Sequence, residues 1–90
     1  MLVRGRVALV AAGRDKGKLQ AVTGCDEKGI YLADGKGRRL CSPKLKNPRH
    51  LIDTGYTVAE EFFASDRALR RALAQIRDQR SEMLCQNPII

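Results

Sequence analysis

Four short runs, at residues 6–11, 18–23, 29–34 and 38–42, follow one another in the first half of this chain, and turn-forming residues close off each one. The separators are Gly13-Arg14-Asp15-Lys16-Gly17, Gly24-Cys25-Asp26-Glu27-Lys28-Gly29 and Asp34-Gly35-Lys36-Gly37. Asp-Gly between two such runs is a strong hairpin signal, because a tight hairpin needs positive φ where these residues sit. The pattern predicts a meander of short strands and therefore a mainly β unit.

Val7 and Leu9 share one face of their run, as do Ile30 and Leu32. With Val22, Leu40, Leu45 and Leu51 they are expected to form one small apolar interior. So few strands cannot bury their faces as a flat sheet. Curling into a small SH3-like barrel removes exposed edges and fills the centre with side chains. At 4% aromatic residues, that interior is expected to be aliphatic, and Tyr31 is expected to pack rather than to stack on a base.

After Pro43 the segment Lys44-Leu45-Lys46-Asn47-Pro48-Arg49-His50 reads as an extended basic strap, because its prolines exclude helix and a central-strand place. Asp53-Thr54-Gly55 reads as a hinge, where composition shifts from Gly-rich and basic to Ala-rich and mixed in charge. The expected organisation is a barrel at 1–54 followed by a helical extension at 55–90. Thr57 and Glu60 form a T-x-x-E box that would open a short helix through Phe62 and Phe63, and Ser65 or Asp66 would cap a longer one. In that helix Leu69, Leu73 and Ile76 recur at helical spacing, opposite Arg67, Arg70, Arg71, Arg77 and Asp78. This stripe must dock on the barrel flank, a second copy of the chain or a larger partner. Gln86-Asn87-Pro88 is expected to stop the helix and leave a loose tail.

Charge separates the two parts. Residues 1–52 carry twelve Lys/Arg against four Asp/Glu, and residues 53–90 carry five against six, so a net +8 sits on the first part and −1 on the second. Such concentration points to a polyanionic partner, and no basic amphipathic helix accompanies it to suggest a membrane surface. Cys25, Cys41 and Cys85 are odd in number, widely spaced and without a C-x-x-C pair, so reduced thiols in a cytoplasmic protein are expected. The apolar run at 7–12 is too short for a signal peptide or a membrane span. His50 is the only histidine, which leaves no metal site and no catalytic pair, and Gly13 to Lys18 lacks P-loop spacing. Neither an enzyme nor a cofactor is expected.

Arg14, Lys16 and Lys18 are the first candidates for phosphate contact, with Gly13 and Gly17 letting their loop adopt positive φ and come close to a backbone. Asp15 between them reads as a turn residue. Arg38 and Arg39 are adjacent strand residues that point to opposite faces, so one faces outward, and Lys44, Lys46 and Arg49 extend the basic surface.

Gly5-Arg6-Val7-Ala8-Leu9-Val10, then Ala12-Gly13-Arg14-Asp15-Lys16-Gly17-Lys18, the Asp34-Gly35 hairpin and the strap from Lys44 to His50 together resemble the KOW-domain RNA-binding proteins. More closely, the chain looks like the short bacterial proteins related to archaeal and eukaryotic large-subunit ribosomal proteins with this domain. The resemblance covers residues 3–52, with a weaker echo from Asp66 onward. Many KOW motifs carry another glycine where this chain reads Leu19-Gln20-Ala21-Val22. What the resemblance implies is an SH3-like barrel whose loops and edges contact RNA, often ribosomal RNA, with ribosomal proteins as further partners. The expectation is thus a non-catalytic RNA-binding protein of translation or ribosome assembly, associated with the ribosome in the cytoplasm. The alternative is an adaptor of the translation or transcription machinery that binds protein through the barrel and the C-terminal helix, with Leu69, Leu73 and Ile76 as its contact residues.

Overall fold

In the computed structural model, which describes residues 2–86 and side chains as far as Gln79, the strands are β1 (Arg6–Val10), β2 (Leu19–Asp26), β3 (Gly29–Ala33), β4 (Lys44–Lys46) and β5 (Leu51–Thr57). They form one antiparallel sheet in the order β4-β3-β2-β1-β5, followed by a single helix, α1 (Asp66–Gln86). The protein is therefore mainly β. Its sheet is not closed, since β4 and β5 are both edges.

The sheet is nevertheless curled. Only residues 47–50, including a 3-10 turn at Pro48–His50, connect β4 on one edge to β5 on the other. Five Cα steps span at most about 17 Å even when fully extended. The edges of a flat five-stranded sheet lie about 19 Å apart. A connection that contains a turn can bridge them only if the edges bend toward each other. The His50 carbonyl accepts the Ala11 amide at 2.8 Å and fastens this connection to the end of β1.

Both sheet faces are buried, so the single interior expected from the sequence becomes two. Pairing Val7 with Ala21 and Ala21 with Ala33 puts these three on the face covered by α1, where Leu69, Ala72, Leu73 and Ile76 pack against them. Ala8, Val10, Val22, Ile30 and Leu32 form the second cluster on the inner face. Val7 is thus not a neighbour of Ile30 and Leu32, because alternation sends it to the other side of the sheet. Leu40 joins the helix side and Leu51 the inner side. Leu32 and Leu69 are fully buried, each stabilising the fold by about 2 kcal/mol.

The stripe proposed as a partner surface is the inner face of the helix. Leu69, Leu73 and Ile76 are buried in the chain's own core, because they supply the apolar cover that the sheet's second face requires. Ser65 caps α1, its Oγ accepting the Ala68 amide at 3.1 Å. The T-x-x-E box does not form: β5 continues to Thr57, and Glu60 pairs with Arg4 (Nη2 to Oε2, 2.6 Å) at the start of a 3-10 turn, Glu60–Phe63. Phe62 and Phe63 pack beside the helix-side cluster.

Two segments differ from expectation for reasons of hydrogen bonding. Residues 38–42 make no strand: the Arg38 carbonyl accepts the amides of Asp34 and Gly35, the Leu40 amide goes to Asp66 Oδ1, and the Ser42 amide to the Arg39 carbonyl. With these groups committed to turns, the pairing with β3 shifts to Lys44–Lys46. Asp53-Thr54-Gly55, read as a hinge, lies inside β5. There the Thr54 hydroxyl donates to the Val7 carbonyl at 2.8 Å, and Asp53 Oδ1 accepts the Gly55 amide at 2.9 Å. The helix stop expected at Asn87-Pro88 and the tail after it lie outside the described residues. No helix among the described residues is long and apolar enough to cross a membrane.

Candidate nucleic-acid interface

The β1–β2 connection is a closed basic loop. The Val10 carbonyl accepts the Gly17 amide at 2.8 Å and the Val10 amide donates to the Lys18 carbonyl at 3.0 Å, which pins both ends together. Inside it the Lys16 amide reaches the Gly13 carbonyl and the Lys18 amide reaches the Asp15 carbonyl. Gly13 and Gly17 have φ of +91° and +88°, as expected for a tight loop that only glycine enters without strain.

Asp15 is buried beneath this loop and organises it. Its Oδ2 accepts Arg38 Nε at 2.8 Å and Gln20 Nε2 at 3.4 Å, and its Oδ1 lies 3.6 Å from Lys18 Nζ. Burial pushes the Asp15 carboxyl up, but the bonds and charge of Arg38, with Gln20 and Lys18 adding to them, outweigh that and hold it below its ordinary value. Gln20 is 1% exposed and also reaches Asp34 Oδ2 at 3.5 Å. Asp34 Oδ1 in turn accepts the amides of Lys36 and Arg38. One polar network thus ties the basic loop to the turn after β3.

Strand β4 brings in the strap. Lys44 pairs with Leu32 and Lys46 with Ile30, so both lysines share the inner-face side, and Leu45 lies on the opposite side, 39% exposed. Leu45 is therefore not the interior residue that its hydrophobicity suggested. At an open edge the lysine stems run along the apolar rim while the ammonium groups reach water. Lys46 Nζ covers Gly13 so closely that a Cβ there would lie 2.7 Å from it.

The result is a cleft of about 370 Å³ lined by Arg14, Asp15, Arg38, Lys44 and Lys46. Four cations from three separate segments meet around one carboxylate, and that carboxylate already holds Arg38. Arg14, Lys44 and Lys46 have no carboxylate partner among the described residues and are available to an anion. By contrast Arg4 is paired with Glu60 and Arg6 with Asp53, which removes those two early arginines from the basic surface.

The remaining candidates lie elsewhere. Lys16, Arg39 and Arg49 are exposed outside the cleft. Gly17 and Lys18 line a second, larger groove of about 600 Å³ between α1 and the end of the sheet. Its rim includes Lys36, Arg70 and Arg77, none of which the sequence reading singled out as a site. Their signal was present: Arg70, Leu73, Ala74 and Arg77 follow the i, i+3, i+4, i+7 spacing of one helical stripe. Tyr31 is half-buried and its hydroxyl donates to Asp26 Oδ2 at 2.9 Å. Cys25 and Cys41 are exposed free thiols, and the Cys85 side chain lies outside the described ones.

No protein-family model matches this chain, and no curated protein matches it.

Proposed function

We propose that this protein is a non-catalytic RNA-binding protein of the KOW type, its curled sheet an SH3-like barrel, acting at the ribosome in translation or ribosome assembly. The observation that carries the reading is the meeting of Arg14, Arg38, Lys44 and Lys46 at one cleft beside a glycine-bracketed loop. Phosphates are bound by cations held near an accessible backbone, and the guanidinium of Arg14 adds forked hydrogen bonds to the point charges of Lys44 and Lys46. Supporting the barrel assignment is the 3-10 connection that draws β4 and β5 toward each other. With no aromatic side chain lining the cleft, recognition rests on RNA shape and backbone more than on base identity.

The test is sedimentation of the tagged protein from lysate through a sucrose gradient, at low and high salt and with and without ribonuclease. Comigration with the large ribosomal subunit that high salt or ribonuclease abolishes supports the reading. A folded protein that stays at the top under every condition counts against a ribosomal role. A Lys44→Glu, Lys46→Glu variant that comigrates like the parent counts against the cleft.

A further inference from the structure

We infer that the groove between α1 and the sheet is a docking site for an acidic amphipathic peptide segment of a partner protein, separate from the cationic cleft. Its floor is aliphatic. Leu9 and Leu19 face each other across β1 and β2, with Leu73 and Ala74 beside them on the helix. Leu9, Leu19 and Ala74 are only half-buried, and Leu9 belongs to neither core cluster, so at this end of the sheet the described residues leave part of the apolar surface uncovered.

The rim is cationic. Lys18 on the basic loop, Lys36 on the turn after β3, and Arg70 and Arg77 on α1 surround the floor. The single carboxylate among the described residues of the lining, Asp34, accepts the backbone amides of Lys36 and Arg38 and forms no ion pair with the rim side chains. Lys36, Arg70 and Arg77 have no carboxylate partner among the described residues. One helical heptad places Arg70 and Arg77 about 10 Å apart along the axis, the separation of acidic residues at i and i+7 on a partner helix.

An aliphatic floor within a basic rim selects against a bare phosphate chain, which gains nothing from leucine. It also selects against splayed bases, because no residue lining the groove is aromatic. A segment with leucine-type residues on one face and Asp or Glu beside them satisfies both parts at once. This inference does not rest on RNA binding.

The experiment is fluorescence anisotropy of the full chain with a labelled helical peptide of about 14 residues, leucines at i, i+3, i+4 and i+7 and glutamates flanking them. A peptide of the same composition in scrambled order is the control. Saturable binding of the first peptide is expected, at least roughly tenfold weaker for the scrambled one and for Arg70→Glu with Arg77→Glu. Both arginines are exposed, so the fold is expected to survive, and Arg70→Gln with Arg77→Gln provides a milder pair if it does not. Lys44→Glu with Lys46→Glu is expected to leave peptide affinity within about twofold, which separates this site from the cleft. Absence of peptide binding, equal binding of the scrambled peptide, or no effect of either arginine pair overturns the proposal. So does a structured RNA that displaces the peptide and loses affinity with Arg70 and Arg77, since the groove would then belong to RNA.

Discussion

Arg38 Nε donates to Asp15 Oδ2 at 2.8 Å, across 23 residues of sequence, and this contact joins the basic loop to the turn that follows β3. Asp15 is buried and Arg38 half-buried, so truncation of the carboxylate leaves Arg38 without its acidic partner and takes from Gln20 one of its two acceptors. Asp15→Ala is expected to lower stability by about 1–3 kcal/mol, seen as a lower urea midpoint with an unchanged slope. Asp15→Asn retains an acceptor but loses the charge, and its midpoint is expected between the two. A parent-like midpoint for Asp15→Ala would show that the contact does not organise the loop.

Gly35 has φ of +79° and sits against the start of α1, where an added Cβ would run into the Asp66 carbonyl oxygen and lie 3.1 Å from the Arg70 amide. These obstacles are backbone and cannot rotate away. Gly35→Ala is expected to cost at least about 2 kcal/mol. Gly37, two residues on, has nothing within 4 Å of its Cβ position, and Gly37→Ala is expected to change stability by no more than about 0.5 kcal/mol. Thermal or urea melts of the two variants side by side test the difference.

If Arg14, Lys44 and Lys46 each neutralise a phosphate, RNA affinity falls steeply with salt. Anisotropy titrations with a structured RNA are expected to give a smaller slope of log affinity against log salt in each single Ala variant, by roughly 0.7–0.9 per contact removed. Arg4→Ala is expected to leave the slope unchanged, because Arg4 faces Glu60 and lies 4.5 Å above the Phe63 ring. Equal slopes for all four variants would sink the cleft assignment.

Acid is expected to destabilise the fold through identifiable carboxylates. The Gly55 amide, with help from Arg6, lowers the Asp53 carboxyl from an ordinary 3.8 to about 2, although desolvation opposes this. Asp15 is also lowered, against its burial, mainly by Arg38. Because these values are depressed in the folded state, their contribution is complete above about pH 4 and is lost as pH falls toward 2. Urea midpoints measured from pH 5 to pH 2 should drop over that window in the parent and less in Asp53→Asn.

Alternation and punctuation were legible without coordinates: the first three strands, the glycine conformations at Gly13 and Gly17, and the helix capped by Ser65 all follow from local chemistry. Strand β5 was not, because Asp53-Thr54-Gly55 has the composition of a turn and only pairing with β1 makes it extended. The expected strand at 38–42 failed for the converse reason, its amides and carbonyls being taken by Asp66 and by the turn at Asp34.

The basic candidates themselves were visible as residue types, since a lysine or arginine near a glycine-rich turn declares its charge in the sequence. Which of them meet in one cleft was a tertiary decision. Register alone turns Lys44 and Lys46 toward the inner face and Leu45 away from it, and the Asp15 carboxylate draws Arg38 from a distant segment to meet them. Likewise the stripe of Leu69, Leu73 and Ile76 announced that something must cover it, but not what. Two sheet faces with one helix to cover them decided that it packs inward, because apolar surface is removed from water most fully against the chain's own second face.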